Sequence, residues 1–206
     1  KGGLAMAWFA VDALVKAGLC DGMTISTHHH LRDGDFVANM IFDIAHDMGI
    51  RNLRWFPSAS FPCHNHLIPY LEDGNISHIE GSMNGPLGEF TSQGRMKKTA
   101  VLRSHGGRTQ AIQDGEVKID IAVVAAPAAD PFGNANRLTG PSATGVLSYA
   151  DMDVRYATHV IVVTDNLVSF PCLPMQIEGN YVDSVVTVDK LGLPENEVET
   201  PATDGR

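Results

Sequence analysis

Six of the chain's nine histidines fall in three short polar stretches: His28-His29-His30-Leu31-Arg32, His64-Asn65-His66 and Ser104-His105-Gly106-Gly107-Arg108. The third stretch has the most specific chemistry. Adjacent glycines let backbone approach a ligand, and a helix opening there offers unpaired N–H groups to an anion or a developing oxyanion. Arg108 supplies a fork-shaped donor for a carboxylate or phosphate, and His105 a further polar contact. The plain alternative is a glycine turn beside a surface arginine. In the histidine run, successive side chains leaving a strand point to opposite sides, so three rings cannot converge on one ion, and no metal is expected. His28, His29 and His30 are instead read as hydrogen-bond donors to a polar ligand, with Arg32 as a second anion partner. The alternative is that one packs, one caps a carbonyl and one is exposed. His64 and His66 are read as structural or solvent-facing.

Two further stretches could hold amide or carboxylate groups. Ala126 to Asn136 is made of small residues against which a chain-like ligand could lie, with Asn134 and Asn136 as polar contacts. Asp165-Asn166 is similar. Both are also what an ordinary turn contains. No nucleophile announces itself: there is no G-x-S-x-G, P-loop, G-x-G-x-x-G or H-E-x-x-H. Cys63 is expected to be an ordinary thiol despite its neighbour His64.

These stretches must be positioned by the elements between them. Short β-branched or apolar runs alternate with helical periods. Strands are expected at Met23–Thr27, Leu53–Ser58, Ile76–Glu80, Ala100–Arg103, Ile119–Ala126, His159–Thr164 and Val182–Val188. Helices are expected at Leu4–Leu19, Val37–Met48, Leu67–Leu71, Leu87–Gln93 and Thr109–Gln113, with Asp35 able to cap the second and Gly49 to stop it. The runs Ile119–Ala126 and His159–Thr164 lack alternation, as do central parallel strands covered on both faces. The fold class is therefore α/β, an open and mostly parallel sheet with helices on both faces. Residues 1–190 are expected to form one lobe, and 191–206, with Pro194 and Pro201, a polar linker or exposed tail. In such a sheet ligands bind beyond the carboxyl ends of the strands, which makes candidate loops of Thr27 to Arg32, Ser58 to His66, Gly81 to Gly85, Ser104 to Arg108, Pro127 to Asn136 and Thr164 to Leu167.

Composition sets outer limits. With 24 acidic and 15 basic residues the net charge is -9, and no Lys/Arg run suggests a nucleic-acid surface. At 44% hydrophobic and 19% charged the chain is globular in composition. Three separated cysteines suit reduced thiols and a cytoplasmic setting rather than a disulfide framework. No apolar run reaches membrane-spanning length, and Asp12 and Lys16 interrupt the apolar start, which is not read as a signal peptide.

At the same stretches the sequence resembles the citrate lyase alpha subunit family. The resemblance rests on Asp21 to Asp35, on Ser104-His105-Gly106-Gly107-Arg108, on Gly115 to Ala122, on Ala125 to Asp130 with Gly133-Asn134, on Gly140-Pro141-Ser142-Ala143 and on Thr164-Asp165-Asn166-Leu167-Val168, in order. It implies a lobe like those of CoA transferases and sugar-phosphate isomerases, in a chain roughly twice as long with a second lobe. It also implies exchange of acetate for citrate on an acyl-carrier thioester, by direct exchange through a mixed anhydride. The implied partners are the beta subunit, the gamma acyl carrier protein, citrate and acetate, in a hetero-oligomer. The phosphopantetheine-type arm would come from the carrier, or from CoA, with no cofactor attached to this chain. Arg32 and Arg108 would hold the carboxylates, and the Gly106 and Gly107 amides the oxyanion. Thr144 departs from the cysteine expected after Pro141-Ser142-Ala143, against thiol chemistry there. Two rivals stand beside this reading: a non-catalytic carrier-binding or assembly half, and a sugar-phosphate isomerase or ligand sensor, which would need a base near a phosphate loop.

Overall fold

The computed structural model describes residues 10–28, 31–145 and 147–196. Six strands, β1 (Thr24–Thr27), β2 (Leu53–Pro57), β4 (Ile76–Ile79), β6 (Ile121–Ala125), β9 (His159–Thr164) and β10 (Ser184–Thr187), form one sheet in the order β10-β9-β6-β1-β2-β4. Every neighbouring pair is parallel. Two small pairs lie outside it, β3 (Ala59–Ser60) with β5 (Ser82–Met83) and β7 (Ala128–Ala129) with β8 (Ala135–Asn136). Helices are α1, of which residues 10–16 are described, α2 (Val37–Asp47), α3 (Ile68–Asp73), α4 (Pro86–Ser92), α5 (His105–Gln113) and α6 (Ala150–Tyr156).

The two runs without polar alternation do occupy the sheet centre, and their side chains divide between two cores. Ile121, Val123, Ala125, Ile161 and Val163 join Leu14, Ile41, Phe42 and Trp55 in one, on the side of α1 and α2. Ala122, Val124, Val160 and Val162 join Ala111, Ile112, Ala150 and Val154 in the other, on the side of α5 and α6. Side chains alternate across a strand, so a strand with helices on both faces must be apolar at every position. The α2 stripe ends as its sequence dictates, with Gly49 at φ +75.

From β1 the chain builds outward through β2 to β4, then returns to place β6 on the other side of β1 and continues to β9 and β10. The direction of winding reverses between β1 and β6, which opens a crevice at their carboxyl ends.

Several expectations are corrected. Ala100–Arg103 is no strand: only Val101 pairs, with Glu80, while Leu102 is 71% exposed, so one residue alone has sheet to cover. The helix expected at Thr109 begins at His105, because the Ser104 side chain accepts the Gly107 amide and starts it a turn earlier. Asp35 stands one residue before the α2 cap position; its carboxylate takes the Val37 amide and a 3.0 Å contact from the buried His64. α6, β3, β5, β7 and β8 were not anticipated. The tail expected from Leu191 does not start there. Leu191 is fully buried, its carbonyl accepts the Phe36 amide, and Leu193 bonds Gly34, so residues 191–193 pack on the lobe.

His78, on β4, supplies a pH test. Burial, then the charges of Arg54 and Lys98, push its imidazole down to about 4, below the unfolded value near 6.5. Between those values the unfolded chain binds the extra proton, so this contribution is complete above about pH 6.5 and is lost as pH falls toward 4. Urea midpoints measured from pH 7 to 4 should fall less steeply for His78→Gln than for the parent chain.

Candidate functional site

The carboxyl ends of β2 and β4 and the start of α5 enclose a small cleft of about 310 Å³ counted to its open mouth. Its walls include Ser58, Ser82, Arg103, Ser104, His105 and Tyr149, with Glu80 and Arg108 behind. Chain order explains the convergence: each parallel strand ends on this side, and α5 starts on it. His28 reaches the same place from β1, with Nδ1 2.6 Å from the Ser58 hydroxyl. The Tyr149 ring is stacked on His105 at 5.4 Å and meets the edge of His28 at 5.6 Å.

Beneath the cleft is a buried ionic cluster. Arg108 donates through Nη1 and Nη2 to the two oxygens of Asp153, at 2.8 and 3.0 Å, and through Nη2 to Ser26 and the Phe56 carbonyl. Ser26 in turn donates to Asp153 over 2.6 Å. The guanidinium lies 4.2 Å from the Phe56 ring centre and 5.4 Å from that of Tyr149. Arg108 is only 3% exposed and Asp153 1%. This corrects the expectation that Arg108 clamps a ligand: its terminal donors are occupied, and the remaining Nε is buried. Its role is to fasten α5 and α6 to β1.

A second ionic cluster forms the far wall. Glu80, with a fully buried side chain, pairs with Arg54 and with Arg103, and Arg103 also reaches Glu116 at 2.9 Å. Burial, then the neighbouring Arg103 charge, hold the Arg54 pKa below the usual guanidinium value. Arg103 uses Nε and Nη1 in these contacts, and the residue also lines the cleft.

The amino end of α5 gives a divided result. Gly107 donates to the Ser104 hydroxyl at 3.1 Å, so this amide is not an open oxyanion donor as expected. Gly106 stands one position earlier, in the first turn, where no carbonyl four residues back lies within the helix. The space around it is open, since a side chain there would meet nothing within 4 Å.

The remaining candidates go elsewhere. Asn134 and Asn136 are not available to a ligand, because both are buried and bonded within the protein. Asn134 bonds Asp130 and the Gly179 amide; Asn136 bonds the Leu138 and Thr139 amides and Cys172. Asp130 organises this loop: burial raises its pKa, but the amides of Cys172, Phe132 and Asn134 and the Asn134 side chain outweigh that and hold it below the usual range. Asp165 accepts from Ser142 at 2.7 Å, and Asn166 turns back on Thr164; they share the carboxyl edge but do not line this cleft. Arg32 is exposed with its guanidinium over Phe61. His29 and His30 lie outside the described residues. The Cys63 thiol is pushed up to about 12, by burial first and then by the charge of Asp35, which keeps it protonated and unreactive. Among the described residues no group of three or more His, Cys, Asp or Glu could hold a metal ion, and no helix is long and apolar enough to cross a membrane.

Ser58 and Ser82 lay in loops assigned to the ligand edge without being singled out; Arg103, Tyr149 and Asp153 were missed, Arg103 by one residue. Tyr149 and Asp153 belong to α6, whose apolar period is too short to show; its one local signal is the Asp151–Arg155 pair.

A parallel sheet wound from β1 in both directions, with a polar cleft at its carboxyl edge, defines a CoA-transferase-type lobe. The glutaconate CoA-transferase of Acidaminococcus fermentans shares that fold, with a TM-score of 0.60 at 13% identity over 86% of this chain and 74% of that one. The particular family follows from sequence: the chain belongs to the citrate lyase alpha subunit family, whose pattern matches residues 8–204. The citrate lyase alpha chain of Escherichia coli K12 is 40% identical over 182 residues, 88% of this chain and 36% of its own length. A structure described as the citrate lyase alpha subunit of Streptococcus mutans in complex with citrate is 39% identical, with a TM-score of 0.89, covering 93% of this chain and 39% of that one. The chain thus spans a little over a third of the length of the curated relatives it matches.

Breaking a buried ion pair from one side strands the other charge, at a cost of about 3–5 kcal/mol. Arg108→Ala should lower the unfolding free energy by that much, seen as a lower denaturant midpoint at an unchanged slope. Lysine at 108 should not restore it, because one ammonium cannot reproduce the forked contact with Asp153.

Proposed function

We propose that this chain is an acyl-exchange lobe of citrate lyase. In the intact subunit it would place citrate beside the thioester of acetyl-S-carrier to give citryl-S-carrier and acetate. The observation that carries this reading is the convergence of Arg103, His105, Ser58, Ser82 and the first turn of α5 in one cleft at the carboxyl edge, in a member of this family. Such a donor-rich cleft suits an anion with several carboxylates. The complex with citrate seen for the Streptococcus mutans protein agrees with that substrate class.

The residues act by placing charge. Arg103 Nη2 and the hydroxyls of Ser58 and Ser82 receive carboxylate oxygens. His105, held flat against Tyr149, donates a further hydrogen bond. One citrate carboxylate oxygen attacks the acetyl carbonyl; the C–S bond breaks, giving a mixed anhydride and a thiolate. The thiolate then attacks the citryl carbonyl of the anhydride, and acetate leaves. Negative charge builds on carbonyl oxygen at both steps, and the Gly106 amide, backed by the α5 dipole, meets it there. Holding carboxylate and thioester together supplies much of the acceleration. The buried Arg108–Asp153 pair keeps the donors from rearranging. The arm that bears the thioester is of phosphopantetheine type, delivered by the gamma acyl carrier protein, or is CoA itself. The beta subunit consumes the citryl thioester, within a cytoplasmic hetero-oligomer.

The test is to incubate acetyl-CoA and citrate with this chain and with the longer subunit, and to detect citryl-CoA by mass. Product from the longer subunit is expected, and His105→Ala in it should lower exchange by about tenfold or more, the loss of one hydrogen bond to a charged group. No citryl-CoA from either protein, or parent rates for His105→Ala, would overturn the reading. Product from the longer subunit alone would place part of the site outside these residues.

A further inference from the structure

Between Glu89 and Asp114 lie 24 residues without one acidic side chain, in a chain of net charge -9. They hold Arg95, Lys97, Lys98, Arg103 and Arg108, five of its 15 basic residues. Three of the five are neutralised: Arg95 pairs with Glu72, Arg103 with Glu80 and Glu116, and Arg108 with Asp153. Lys97 and Lys98 enter no ion pair among the described residues, in contrast to Lys16 and Lys118, which pair with nearby aspartates.

The two lysines border a cleft of about 730 Å³ counted to its open mouth, between the end of α4 and the chain that follows it. Thr91, Gly94, Met96, Thr99 and Ala100 complete its lining. Gly94 turns the chain there with φ +69, and the lysine ammonium of residue 97 lies against Gly74, the end of α3. His78, Arg54 and Lys98 share one neighbourhood, and no carboxylate contributes to the field His78 feels. Exposed amides and carboxylates of a protein ligand would ask for mixed donors and acceptors. Two lysines and Thr99 border this cleft, while the Thr91 hydroxyl is given to the Leu87 carbonyl at 2.9 Å; ammonium groups with a hydroxyl are a donor set that suits a phosphoryl group.

We propose that this cleft is a second anion site, taking a phosphoryl-bearing ligand on Lys97, Lys98 and the hydroxyl of Thr99. It is separate from the Arg103 cleft, but only Val101 and Leu102 stand between Ala100, which lines it, and Arg103. If the functional reading above holds, on which this clause rests, a phosphorylated thioester carrier sets its phosphate here while its acyl end reaches the Arg103 cleft.

The probe is inorganic pyrophosphate, titrated calorimetrically into the chain at 20 and 200 mM salt, with citrate titrated separately. Saturable binding that weakens with salt is expected, with Lys97→Gln/Lys98→Gln reducing pyrophosphate affinity about tenfold or more and leaving citrate affinity unchanged. Lys190→Gln, an exposed lysine elsewhere, should leave both unchanged. No pyrophosphate binding by the parent chain, equal binding by the double variant, or an equal loss in Lys190→Gln would overturn the site. Loss of citrate binding with pyrophosphate binding intact would count against the functional reading alone.

Discussion

Removing a guanidinium and a carboxylate from water costs several kcal/mol per ion, and attraction repays that only where the geometry is close and every other group is satisfied. The pair formed by Arg108 and Asp153 meets much of this demand: both Asp153 oxygens are engaged, Ser26 bridges the two, and two aromatic rings face the guanidinium. The sheet would pack as well, or better, with apolar groups there. What the ionic pair adds is a fixed orientation. It connects β1 to α5 and α6 at the level where the strands end, and the loops above inherit their positions from it.

Tyr149 transmits that order upward. It lies on Arg108 below and against His105 and His28 at its faces and edge, so two histidines distant in sequence are held in one plane of contacts. On the opposite wall Glu80 does the same for Arg54 and Arg103. Both clusters bury a carboxylate to immobilise arginine, and the cleft between them is lined by groups that donate hydrogen bonds. A third buried carboxylate, Asp130, organises the loop after β6 by collecting backbone amides and so closes that loop to ligands. Site-side loops in this lobe therefore divide into those that present donors and those whose polar groups are turned inward.

The sheet was legible because a strand covered on both faces must be apolar throughout, which made β6 and β9 stand out, and because α2 carries a full apolar stripe. The ligand edge followed from strand direction. Harder to read were short elements whose reason to form is tertiary: α6 contains Asp151, Asp153 and Arg155 among seven residues, and it exists because Asp153 has Arg108 to meet. Arg108 itself looked like an anion clamp, since an arginine beside two glycines has the same composition whether it faces solvent or a buried aspartate. Asn134 and Asn136 failed for a related cause, because side-chain amides satisfy their own turns when those turns are buried. His105 and Gly106 were legible as site residues, and Ser58 and Ser82 only as members of strand-end loops; Arg103 was not, because nothing local in sequence marks which strand ends lie side by side.

The central claim is that citrate is held in the cleft over the Arg108–Asp153 pair without displacing it. Titrating citrate into the ¹⁵N-labelled chain, and following backbone amides together with arginine side-chain resonances, tests this most directly. Saturable shifts at Ser58, His105 and Gly106, with the Arg108 side-chain signals unmoved, are the predicted result. Shifts centred on Arg108, or confined to the Asn134–Asn136 loop, would contradict it.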